Sequence, residues 1–140
     1  MAEAMKSIGY YTAFIGKWHM GPKGYFPIDQ GFDQQFGVAD AGEPGSYFAP
    51  FWEEDNNPYP DAPEGSYLTD RITDDTVNFI KNYDKEKPFL LNTFFYSVHT
   101  PSEGPKELAK KYIDKGLNGE YANFGGKVET VDKSVGRILK

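Results

Sequence analysis

The chain has 140 residues, a net charge of −6 and no cysteine. That length is enough for one domain with a real core, the acidic balance argues against a general nucleic-acid-binding role, and the lack of cysteine excludes disulfides and thiolate metal sites. No apolar run approaches the ~18 residues of a membrane span, and residues 1–9, which carry Glu3 and Lys6, lack the apolar core of a signal peptide.

Residues 2–8 read as the end of a helix, because Ala2, Glu3, Met5 and Lys6 are good helix formers and Gly9 is a natural stop. Residues 11–15 are β-prone and mostly apolar, which predicts a short buried strand. Gly16 lets the backbone turn or be approached closely. Lys17, Trp18 and His19 follow. If strand geometry continues, Lys17 and His19 share a face with Cα atoms roughly 6.6 Å apart, aimed at something small and anionic. Trp18 then points the opposite way, into packing.

Residues 20–66 are rich in proline and glycine and read as loop. Gly31 and Gly37 punctuate turns, and Phe32 and Phe36 can anchor the loop to a core. The mixed aromatic, acidic and Pro/Gly stretch 43–63 has the length of a functional loop. Residues 69–83 read as an amphipathic helix with Ile72, Thr76, Phe79, Ile80 and Tyr83 on one face and Thr69 or Asp70 as cap. Asp74 and Asp75 are placed on its solvated side and are not read as metal ligands. Residues 89–98 are near-continuously apolar, as in a parallel strand covered on both faces, and run into His99. Residues 105–114 form a short helix with Pro105 near its first turn. Residues 121–139 form a final helix with Val128, Val131, Val135 and Ile138 as its apolar seam and Asp132 and Arg137 outward. Gly125 and Gly126 cost about 1 kcal/mol each against alanine, so fraying or a kink is expected there.

Two strands thus end in candidate groups: the first in Lys17 and His19, the second in His99. These are the only two histidines in the chain. In open α/β sheets the site lies at the carboxyl ends of the strands. Chemistry on a small anionic group needs a nucleophile, charge neutralisation and a proton donor. A lysine point charge and histidines that titrate near neutral pH suit the last two needs.

The string Gly16-Lys17-Trp18-His19-Met20-Gly21 resembles the GKWHLG signature of the type I, formylglycine-dependent sulfatases, with Met20 where leucine is usual. Residues 27–37, Pro-Ile-Asp-Gln-Gly-Phe-Asp-Gln-Gln-Phe-Gly, resemble the segment that follows it in that family. So do the run from Lys87 and Pro88 to His99-Thr100-Pro101 and the last helix, with Asp132, Ser134, Val135, Gly136, Arg137, Ile138 and Leu139 in place. The resemblance implies an α/β fold, part of an alkaline phosphatase-like sandwich with a mostly parallel sheet flanked by helices. It implies that residues 1–140 are one partial catalytic domain, incomplete at both ends, of an enzyme that hydrolyses sulfate esters. By the same resemblance, Lys17 binds a sulfate oxygen and the formylglycine side chain. His19 contacts a hydroxyl of the hydrated formylglycine and acts as the base that helps expel sulfate. His99 contacts the ester and serves as general acid. Trp52, Tyr47 and Tyr59 lie in the stretch that tends to line the substrate entrance and are candidates for substrate contact.

The resemblance also implies Ca2+ and a formylglycine made from Cys or Ser in a [C/S]-x-[PA]-x-R string. Arg71 and Arg137 are the only arginines, and the residues four before them are Tyr67 and Lys133. The family's upstream aspartate pair and its later Asp-Asn-Gly string have no counterpart here. The isolated chain is therefore expected not to turn over, and its sheet edges are expected to be apolar, exposed and prone to self-association. A non-catalytic anion-binding remnant, and a phosphonate or phosphodiester hydrolase of the same superfamily, are the competing readings. Family members are commonly periplasmic, secreted or lysosomal, and nothing in residues 1–140 assigns a compartment.

Overall fold

The computed structural model of the protein describes residues 1–84 and 86–140. Helix α1 (Ala2–Ser7) ends as the sequence predicts: Ile8 caps it, Gly9 follows at φ +93°, and the Gly9 amide donates to Lys6 O. Strand β1 (Tyr11–Gly16) is the centre of a three-stranded parallel sheet of order β2-β1-β3. Its partners are β2 (Gln34–Phe36) and β3 (Phe89–Phe94), with Ala13 opposite Gln34 and Tyr11 to Gly16 opposite Phe89 to Phe94. Three more helices complete the fold: α2 (Leu68–Asn82), α3 (Lys106–Ile113) and α4 (Gly119–Ile138).

Alternation along β1 sends its side chains into two cores. Ile15 joins Tyr47, Phe51, Trp52, Leu68, Ile72 and Tyr96 in the larger one. Phe14 packs on the other side with Ala2, Phe32 and Val38. Phe32 is therefore a loop anchor as expected, while Phe36 stays partly exposed.

Strand β2 lies in a stretch that reads as loop. It is only three residues long, and a side chain fixes it to β1. The Thr12 amide and hydroxyl both donate to Asp33 Oδ2, at 2.9 and 3.1 Å, and Lys6 Nζ sits 2.8 Å from Asp33 Oδ1. Burial disfavours the Asp33 charge, but the hydrogen bonds from Lys6 and Thr12 outweigh it and hold the carboxyl below its usual range. Asp33→Asn should lower stability by about 1–2 kcal/mol at pH 7. A carboxylate with a depressed pKa in the folded chain stabilises above its unfolded pKa, and that contribution is lost as pH falls through the folded value. The gap in urea midpoint between the two chains should thus be present at pH 7 and shrink towards pH 3. An equal gap at both would exclude the ionised pair as its source.

Three expectations need correction. Strand β3 stops at Phe94, four residues early, and is not covered on both faces: Phe94 is 50% exposed, and among the described residues β3 pairs on one edge only. Residues 95–99 leave the sheet because Tyr96 turns into the larger core, where its hydroxyl accepts from the Ala39 amide and donates to Gly37 O. Helix α4 is continuous through Gly125 and Gly126, and its valine seam is not its buried face. Val128 and Val135 are 46% and 44% exposed, whereas Ala122, Gly126, Lys127, Thr130 and Ser134 are buried. The reason is proximity. A Cβ on Gly125 would lie 2.9 Å from the Tyr112 ring, and one on Gly126 would lie 3.2 Å from Ala109 N, so α3 approaches α4 across a strip that only small residues allow. Finally, Asp74 and Asp75 differ. Asp74 is half exposed and pairs with Arg137 of α4. Asp75 is largely covered, accepts from the Tyr59 hydroxyl at 2.7 Å, and has its pKa raised, chiefly by burial.

Candidate active site

The site is built where β1 and β3 end. The ladder between them closes with the Lys17 amide donating to Phe94 O at 2.8 Å. Past that bond strand geometry does not persist. Gly16 has φ +101° and His19 has φ +50°, so Lys17 and His19 do not simply share a strand face. A left-handed conformation is uncommon outside glycine and marks a residue held for a reason.

Each of the three side chains takes a defined place. Lys17 lines an open cleft of about 430 Å³ with Thr93, Phe94, Phe95 and Ser97. Trp18 packs its ring edge-on to Phe14 at 5.0 Å, with its indole N–H on Tyr25 O at 2.8 Å, and it borders the same cleft as Lys17. The His19 imidazole lies flat against Gly42, so close that a Cβ there would fall 2.0 Å from Nδ1. His99 is half exposed, with Nδ1 3.0 Å from Glu43 Oε2 and 3.1 Å from the Thr100 hydroxyl. The Thr100 hydroxyl also donates to the same Glu43 oxygen.

Gly42 and Glu43 are thus the node on which His19 and His99 meet, and the charge of Lys17 is felt there. The Thr100 hydrogen bond, the nearby His99 and the charge of Lys17 together hold the Glu43 carboxyl below its usual range, against a smaller opposing effect of burial. The resemblance had named Lys17, His19 and His99 but not Glu43, which lies in an irregular stretch where no periodicity marks it.

Trp52, Tyr47 and Tyr59 do not stand at an entrance. All three are core residues; Trp52 is 7% exposed and its indole N–H donates to Glu43 O at 3.1 Å. Trp52 therefore supports the node from beneath, and its ring offers no face to a ligand. Tyr47 supports His99 in the same way, with its hydroxyl donating to Tyr96 O at 2.7 Å and to His99 O at 3.1 Å.

Lys127, which the sequence did not single out, completes the scaffold. Its side chain is buried, and Nζ donates to His99 O and, at 2.8 Å, to Pro101 O. The ammonium also sits 3.6 Å above the Tyr47 ring, a cation–π contact. Glu103 closes the loop by accepting from the Tyr47 amide at 2.7 Å and the Ser46 hydroxyl at 2.9 Å. Among the described residues no group of three His, Asp or Glu side chains could hold a metal ion, so calcium finds no ligand set on them.

Comparison with known proteins bears on this geometry. A family model described as Sulfatase matches residues 1–140. The N-acetylglucosamine-6-O-sulfatase of Bacteroides thetaiotaomicron is 40% identical over 90 residues, covering 64% of this chain and 14% of that protein. The N-acetylgalactosamine-6-sulfatase of Homo sapiens is 27% identical over 159 residues, covering 100% of this chain and 28% of that one. The chain therefore spans less than a third of the length of these relatives. The crystal structure of Ps i-CgsB in complex with k-i-k-neocarrahexaose matches with a TM-score of 0.80 over 99% of this chain and 35% of that one, at 24% identity, a likeness of fold. That fold is the alkaline phosphatase-like one, with a parallel sheet flanked by helices. Because the family model spans every residue, including both strand ends and the node between them, the chain belongs to the sulfatase family.

Proposed function

We propose that this chain supplies the sulfate-binding and proton-transfer groups of a sulfate ester hydrolase. The observation that carries the reading is the seating of His19 on Gly42 and of His99 on the adjacent Glu43, with Lys17 directly after β1 in the cleft that Phe94 and Ser97 also line. Lys17 contributes a compact positive charge for a sulfuryl oxygen. Glu43 and Thr100 engage His99 at Nδ1, which fixes the ring and leaves Nε2 to face an ester. When a nucleophile, which residues 1–140 do not include, takes the sulfuryl group, the S–O electron pair goes to the leaving oxygen, and a proton on Nε2 is placed to neutralise it. His19, seated on Gly42, is the second imidazole able to hold or take up a proton. The chain has no cysteine and no Cys/Ser-x-Pro/Ala-x-Arg string, so it carries no precursor of a formylglycine nucleophile. We therefore infer that it does not turn over alone. The names of the relatives point to 6-sulfated amino sugars as the first esters to test.

Two measurements test this. With a chromogenic aryl sulfate and calcium, the chain should release no product, and turnover would overturn the inference of inactivity. Titrated with inorganic sulfate, its amide spectrum should shift at Lys17, His19 and His99. Lys17→Ala should weaken that binding about tenfold, equivalent to the loss of about 1.4 kcal/mol, within the range of one charge-assisted hydrogen bond. Equal sulfate affinity in the two chains would remove the reading.

A further inference from the structure

A second hollow is lined by His99. It measures about 240 Å³ and is floored by Tyr121 and Phe124 of α4, with Val98 beside them and Thr100, Ser102 and Glu120 at its polar side. Tyr121 is 63% exposed and Phe124 48% exposed. Positions three apart on a helix are neighbours on one face, so the two rings form a continuous aromatic surface. Further along the same helix the exposed apolar side chains are Val128 and Val135, with Leu139 just past its end, all aliphatic and away from this hollow. The aromatic pair with hydroxyl and carboxylate neighbours is thus distinct from the rest of the helix surface.

We propose that Tyr121 and Phe124 are a stacking platform for the sugar ring of a sulfated monosaccharide unit. The inference rests on the sulfate-binding reading, because His99 lines this hollow and the Lys17 cleft ends at Ser97, two residues before it: an ester whose sulfate is held by His99 has its carbon skeleton beside the hollow. A pyranose has an apolar C–H face, which suits an aromatic ring, and hydroxyls at its rim, which suit Ser102, Thr100 and Glu120. A bare aryl group would leave those polar partners unmatched. The volume lies below the about 300–1,000 Å³ of sites for drug-sized ligands, so it takes one ring.

The test is a titration of the whole chain with three probes: inorganic sulfate, N-acetylglucosamine 6-sulfate and unsulfated N-acetylglucosamine. The sugar sulfate should bind about tenfold more tightly than inorganic sulfate. Tyr121→Ala and Phe124→Ala should each cut that advantage at least about threefold and leave inorganic sulfate unchanged, while Tyr121→Phe should keep it. Both positions are exposed, so far-UV circular dichroism should show both variants folded. A sugar sulfate that binds no better than inorganic sulfate, or an advantage that survives Tyr121→Ala and Phe124→Ala, overturns the platform. Failure of the sulfate reading looks different: inorganic sulfate would not bind, while both sugars would bind alike and lose affinity in Tyr121→Ala. Loss of a concentration-dependent association of the chain in Tyr121→Ala, with the sugar advantage intact, would assign the rings to a protein contact and also overturn it.

Discussion

Gly16→Ala is expected to abolish the cooperative unfolding transition of the chain. Gly16 sits at φ +101°, a conformation that side-chain-bearing residues adopt only under strain. A Cβ there would also fall 2.0 Å from Phe94 O and 3.0 Å from its carbonyl carbon. The atom struck is backbone, so no rotamer change relieves the overlap. That oxygen also accepts from the Lys17 amide at 2.8 Å. Relief therefore requires β1 and β3 to separate at the point where the site begins. Strain and overlap together should exceed about 4 kcal/mol, the range reserved for severe disruptions. The whole stability of a domain is only about 5–15 kcal/mol. Gly136→Ala is the matching control. Open space surrounds Gly136, and alanine is the better helix former by about 1 kcal/mol, so that chain should melt at or slightly above the wild-type temperature. If Gly16→Ala melts within a few degrees of the wild type, the close approach of the two strands is not what holds the sheet together.

Gly16 also shows how far the fold could be read in advance. The sequence marks it as a place of turn or close approach, and both hold. What periodicity and propensity record well is the existence of elements: α1 with Gly9 as its stop, β1, α2 and the two C-terminal helices all occur within a residue or two of their expected bounds. What they record poorly is which face is covered. The valines of α4 have helical spacing and are apolar, yet the helix turns Ala122, Gly126, Thr130 and Ser134 inward, and at Gly125 and Gly126 α3 comes too close for larger side chains. Neighbours of that kind are invisible in a local pattern. Strand β2 escaped notice for the complementary reason. Three residues are too few to show alternation, and what positions them is Asp33 on Thr12.

The site divides along the same line. Lys17, His19 and His99 stand in strings specific enough to be picked out, and the structure seats the two histidines on the neighbouring residues Gly42 and Glu43. Glu43 and Lys127 stand in no string, and their roles arise only when residues far apart in the chain are folded together. Trp52 was legible as an aromatic in a loop, but its burial and its bond to Glu43 O were not.

Lys127→Met should be the most damaging substitution outside the glycines. Lys127 is 1% exposed, and its ammonium is the donor for His99 O and Pro101 O. Methionine fills similar space but leaves two carbonyls of the site loop without that donor. Leaving a buried carbonyl without its donor costs about 1–3 kcal/mol for each of the two. Because the freed loop carries His99, sulfate affinity should fall with stability, although residue 127 touches no ligand in the reading above. The pH dependence is specific. Burial pushes the Lys127 ammonium down to about 8, with Glu103 partly opposing. The folded chain then holds this proton less tightly than the unfolded chain, so the unfolded state binds more protons between pH 8 and the ordinary lysine value. Stability contributed by Lys127 therefore rises with pH across that window, by about 2 kcal/mol at pH 9.5. The chemistry agrees with the sign, since a neutral amine keeps two N–H donors for the two carbonyls and sheds the desolvation of a charge. The buried hydroxyls of Tyr59, Tyr67 and Tyr96, all raised mainly by burial, are common to both chains and cancel in the difference, and that of Tyr47, raised in the same way, stays protonated at pH 9.5. Urea denaturation of wild type and Lys127→Met at pH 7 and pH 9.5 should show the gap between them widening at the higher pH. A constant gap would mean that the Tyr47 ring and the two carbonyls stabilise the charged form as fully as water does.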